Sequence, residues 1–244
     1  MPPCRLPVPF SYLSPFPAFL VPSHPLKDFI MHIEIGIITP EKLAYAATAA
    51  TALLAVHSLP LLKNPTTWLR TGLAAFFFSA LMQAWHMPVG PSELHMVGAM
   101  PIYLLFGFIP TLFGFGLGLL LQALVFEPQD LVHLAVNFLS LAVPLVAVHH
   151  SLGKKMQGMT LANVLKLDAV YYTGVTLMVG FWLSISTDAA PVADWAMFAA
   201  SYASLVVIEP FLTIGLVLLA GRVRNSPIAA ACLDERALRH VASA

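Results

Sequence analysis

Charge is scarce in this chain. Only 10% of its 244 residues are Asp, Glu, Lys or Arg, against about a quarter in soluble domains. The two signs balance to a formal net charge of +0, so no basic face is on offer to nucleic acid. Cysteine is rarer still. Cys4 and Cys232 stand near opposite ends, too few for a disulfide framework or a thiolate metal site. No G-x-x-x-x-G-K-S/T run occurs, which excludes a Walker-type phosphate loop. The first thirty residues lack both the unbroken apolar core and the small-residue cleavage site of a signal peptide.

Apolar side chains are abundant instead. They make up 59% of the chain, and the mean hydropathy is +0.82. Long apolar runs recur along the whole length, so the sequence specifies an all-α polytopic membrane protein. Residues 1–30 stand apart: eight of the twenty prolines fall there, a density that prevents a helix. They read as a proline-rich extension outside the functional protein, with translation beginning at Met31; the alternative is a disordered extension. A transmembrane metal-binding domain is expected over 31–224, and a polar cytoplasmic tail over 225–244.

The apolar runs span about Lys42 to Leu62, Trp68 to Trp85, Leu94 to Phe126, Leu131 to Val148, Leu167 to Ile185 and Trp195 to Ala220. The third is too long for one span. At 1.5 Å per residue it would reach about 50 Å, against roughly 30 Å of hydrocarbon. Gly107 and Pro110 near its middle predict a tight turn and two helices, giving about seven transmembrane helices in one bundle. With the amino terminus outside, Lys63, Arg70, Lys154, Lys155 and Lys166 fall on the inside. The tail arginines Arg222, Arg224, Arg236 and Arg239 join them, and only Lys42 remains outside past Met31. That is the expected positive-inside bias. One span fewer would separate Lys154 and Lys155 from Lys63 and Arg70.

Topology gathers histidines at one side. His32, His86, His95 and His133 all fall at or near outer helix ends, among acidic loops. His57, His149 and His150 lie toward the inside. Read singly, an interfacial histidine is an ordinary amphipathic residue, and His86 and His133 are open to that reading. Met31-His32 is more specific. A free terminal amine, the His32 backbone nitrogen once deprotonated, and its imidazole form fused rings around one ion. That nitrogen-rich, near-planar set suits Ni(II), Cu(II) and cobalt. Because an amide proton must leave, affinity should rise with pH. In the first helix Ala46 and Ala50 form a small-xxx-small pair, open to packing within the bundle or to docking a partner helix. Glu209 is an expensive intramembrane charge whose role the sequence leaves open.

Four segments, in order, resemble the CbiM/NikM family. These are Met31-His32-Ile33-Glu34-Ile35-Gly36; Ser92-Glu93-Leu94-His95-Met96-Val97-Gly98-Ala99; Gln122-Ala123-Leu124-Val125-Phe126 with Leu131 and Asn137; and Glu209-Pro210-Phe211-Leu212-Thr213. Members of that family are substrate-binding membrane components of nickel and cobalt energy-coupling factor transporters. The resemblance implies a substrate-capture component that binds Ni(II) or Co(II) near the outer face of a bacterial cytoplasmic membrane. The metal is the cargo, and no permanent cofactor is expected. The implied ligands are the Met31 amine, the His32 backbone nitrogen and imidazole, and His95. Additional or supporting candidates are His86, Glu34, Glu93 and Asn137. The implied partners are a transmembrane coupling subunit, which Ala46 and Ala50 would meet, and ATP-binding cassette ATPases that hydrolyse ATP on separate chains. The chain itself would then be no enzyme. Two other readings compete: a b-type haem electron carrier using His57 and His149, and a ligand-free membrane assembly subunit.

Overall fold

The computed structural model describes residues 38–89, 92–156, 158–187 and 191–234. Helix α1 (Pro40–Lys63) begins with proline at its first position, where a missing N–H costs nothing, and carries Glu41 in its first turn and Lys63 in its last. Asn64 ends α1 in extended backbone and opens α2 (Pro65–Ala84), its side chain accepting the Thr66 N–H at 3.1 Å. One residue thus turns the chain between two long helices.

A short antiparallel hairpin follows, β1 (His86–Val89) and β2 (Ser92–His95), with His86 opposite His95. Helix α3 (Ala99–Phe106) starts only after Gly98, whose φ of 63° is the left-handed conformation that glycine adopts without strain. Gly107, at φ 89° and ψ 171°, breaks the chain before α4 (Phe108–Val125). The expected split therefore lies at Gly107, and Pro110 sits in the first turn of α4, where a ring in place of an N–H is tolerated. The start of this run differs from expectation: Leu94 and His95 are in a strand, and the helix begins five residues later. A 3-10 turn (Pro128–His133) leads into α5 (Leu134–Ser151). A second (Gly153–Lys155) precedes α6 (Leu161–Ser184), then α7 (Val192–Arg222) and the six-residue α8 (Pro227–Cys232).

Among the described residues, five helical stretches are long and apolar enough to cross a membrane: Pro40–Lys63, Phe108–Val125, Pro128–Lys155, Leu161–Ser184 and Trp195–Arg222. The outer faces carry large apolar groups such as Val56, Leu62, Phe76, Leu124 and Phe211, as expected where lipid is the solvent. This is an all-α polytopic membrane protein. Helix α3, about 12 Å long at 1.5 Å per residue, is different in kind. All eight of its residues are buried, and it packs on α7, α2 and α4.

Among the described residues, the most extensive helix–helix contact is α2 with α4. A Cβ at Gly114 would lie 2.6 Å from Ala74 Cβ, and one at Gly118 would lie 2.5 Å from the Phe78 ring. Two glycines four residues apart let the backbones meet, the membrane form of tight helix packing. Ala46 and Ala50 are both buried inside this bundle, where α1 rests on α5 and α4. The small pair is thus packed against neighbouring helices of the chain.

Gly118→Val should force Phe78 and α2 outward, at about 1–3 kcal/mol for overpacking. A lower melting temperature in detergent with unchanged helical content is the expected result, read by circular dichroism.

Candidate metal site

The hairpin joins two of the histidines read from the sequence. Strand register sets His86 across from His95, and the two imidazoles stack with centroids 5.9 Å apart and 27° between planes. His86 is exposed and His95 is buried at 3% exposure. Nδ1 of His95 faces the Met82 carbonyl at 3.5 Å. An imidazole whose Nδ1–H is directed at a carbonyl keeps its lone pair on Nε2, the tautomer that ligates a metal. The hairpin is further tied by the Met96 N–H, which donates to the Trp85 carbonyl at 3.1 Å.

Of the other expected site residues, Met31, His32 and Glu34 lie outside the described residues. Glu93 is in β2, paired through its backbone with Pro88. Asn137 is buried in the first turns of α5, and His133 is buried at the end of the preceding 3-10 turn. Among the described residues no three of His, Cys, Asp and Glu converge into a metal cluster. The site implied by the resemblance takes three of its four donors from Met31 and His32, beyond those residues.

Below the hairpin an amide ladder joins α2 to α4. Gln83 Nε2 donates to Gln122 Oε1 at 2.7 Å, and Gln122 Nε2 donates to the Ser79 carbonyl at 3.0 Å. Gln122 belongs to a segment the sequence singled out; Gln83 does not. A second polar centre is larger. Glu209 on α7 accepts the Met100 N–H at 2.9 Å and the Tyr172 hydroxyl, and the buried Asp168 on α6 interacts with it electrostatically. Asp168 and Tyr172 were not anticipated. One acidic residue inside an otherwise apolar helix, four before a tyrosine, was the available signal.

At the far end of α3, the Tyr103 hydroxyl and His149 Nδ1 are hydrogen-bonded at 2.9 Å. His149 stacks on Phe108 at 4.0 Å and 3°, and His57 meets the same ring edge-on at 5.4 Å. A benzene ring thus lies against both imidazoles where paired axial ligands would need a macrocycle. A cavity of about 300 Å³ adjoins them, lined in part by Arg70, Tyr103, Gly107 and Asp234.

The sequence profile of the CbiM family, described as the cobalt uptake substrate-specific transmembrane region, matches residues 32–227. The chain belongs to this family. It is a membrane component of transition-metal uptake. Among solved structures, a crystal structure of a transition metal transporter superposes with a TM-score of 0.63 at 17% identity, over 81% of this chain and 96% of that chain. Identity at that level shows a shared fold. No curated protein matches the chain.

Gly98→Ala should strain the turn from hairpin to α3. A side chain at φ 63° costs about 1–2 kcal/mol, and the new methyl would run into Leu81. Thermal unfolding in detergent should shift down by several degrees while the far-ultraviolet spectrum is kept.

Proposed function

We propose that this chain is the substrate-capture component of an energy-coupling factor uptake system for Ni(II) or Co(II). The observation that carries the reading is His95: a buried imidazole in a hairpin, with Nδ1 on a carbonyl and Nε2 in the ligating form, in a chain of the cobalt-uptake family. The remaining donors are the Met31 amine and the His32 backbone and ring nitrogens. The ion binds near the outer face, with seven membrane segments, an outside amino terminus and a cytoplasmic carboxyl terminus. Inward transfer is driven by a transmembrane coupling subunit and cassette ATPases on other chains, in a bacterial cytoplasmic membrane. The charge bias of the loops supports that orientation. His86, stacked on His95 and exposed, stands at the entrance.

His95→Ala should abolish high-affinity Ni(II) and Co(II) binding by the purified, folded protein, measured by isothermal titration calorimetry. His86→Ala should weaken binding by about tenfold at most, the scale of a residue that orients a ligand. Wild-type affinity in the His95 variant would remove the site.

The amine ligand requires that Met31 be the first residue. A peptide bond from Ile30 would replace the amine with a weakly basic amide nitrogen. Protein begun at Met31 should bind Ni(II) tightly, more so as pH rises and the His32 amide proton is lost. Protein begun at Met1 should bind far more weakly. Equal affinities, with a native amino terminus at Met1 by mass spectrometry, would show that the amine takes no part.

A further inference from the structure

Glu209 lies within α7 at 0% exposure. A carboxyl group at such depth is costly unless donors meet it, and here they come from two other elements. Oε1 accepts the Met100 N–H at 2.9 Å. Tyr172 of α6 donates its hydroxyl to Oε2. Asp168, one turn earlier on α6 and also at 0% exposure, is close enough to Glu209 to interact with it electrostatically.

Gly98 is the N-cap residue of α3, and Met100 is its second helical residue. Their amides belong to the four at a helix start that no intrahelical carbonyl reaches. A Ser, Thr, Asp or Asn at the cap position normally meets one of them. Gly98 has no side chain to do so. Glu209 therefore caps α3 from another helix, in a geometry that also suits the helix dipole. Only Met96 and Val97 separate this cap from His95, and α7 packs on both strands of the hairpin.

We infer that Glu209 is a positioning residue for His95. The clamp on Met100, braced by Tyr172, fixes where the hairpin presents its buried imidazole, and so sets how tightly the metal is held. The inference rests on His95 being a ligand, as proposed above.

The test is Ni(II) titration of four variants, made in whichever form of the chain binds Ni(II), with circular dichroism and the ligand-field absorption of the bound ion. Glu209→Leu removes the acceptor for the Met100 amide. It should stay helical, bind Ni(II) about tenfold or more weakly, as when a partner that orients a metal ligand is lost, and shift the ligand-field band. Glu209→Gln keeps a carbonyl for Met100 and should restore most of the affinity and the wild-type band. Tyr172→Phe removes the brace and should give a smaller loss in the same direction. His95→Ala should not bind. A folded Glu209→Leu protein with wild-type affinity and spectrum overturns the inference and leaves the ligand assignment standing. If Glu209→Leu fails to fold, Tyr172→Phe decides, and wild-type affinity and spectrum there overturn it. Normal binding by His95→Ala overturns the ligand assignment and this inference together.

Discussion

A helix wholly inside a bundle has ends that never reach water, and the structure depends on meeting them. Helix α3 is eight residues long and buried throughout. A buried amide or carbonyl without a partner costs about 1–3 kcal/mol, and lipid offers no substitute. At the start of α3, Glu209 takes the Met100 amide. At its end, the Leu105 carbonyl accepts the Asp234 N–H at 2.7 Å, and the Gly107 N–H donates back to the Tyr103 carbonyl at 3.0 Å. The bare Gly107 is what lets Asp234 approach, since a Cβ there would lie 2.6 Å from its carboxyl. Arg70 braces the same return, donating to the Ala230 and Ala231 carbonyls and standing 3.9 Å from the Asp234 carboxyl.

Much of this was legible in the sequence. Hydropathy and length located the long helices, because a span must be continuous and apolar. The break at Gly107 was legible because glycine and proline interrupt a run too long for the bilayer. The hairpin was not. Its strands are four residues each, and Leu94 joins the apolar run that follows without a change in hydropathy. Topology brought His86 and His95 to one side, but only strand register makes them neighbours. Ala46 and Ala50 were seen as a close-packing pair, and which surface they meet is a matter of which helices lie opposite. Asp168 escaped notice because its meaning depends on Glu209, 41 positions away on another helix.

The two ends of α3 carry histidines in contrasting surroundings. At the hairpin, His95 is sheltered and directed by a main-chain carbonyl while His86 faces out. At the other end, His149 is held by a tyrosine hydroxyl and a stacked phenylalanine. The first arrangement leaves an imidazole's ligating edge defined by backbone geometry; the second engages the ring through its face and one nitrogen. A histidine count treats these as equivalent, and the geometry separates them.

The distance in sequence between α3 and its partners bears on how the protein is made. Met100 and Glu209 are 109 positions apart, and Asp234 is further still. While the ribosome is still making α4, α5 and α6, the Met100 amide in the first turn of α3 has no carboxyl to receive it. The segment cannot settle into its final depth until α7 arrives, because hydrocarbon cannot satisfy that group meanwhile. The hairpin joined to it must wait as well. The cap on α3 is therefore among the last contacts that the growing chain can make.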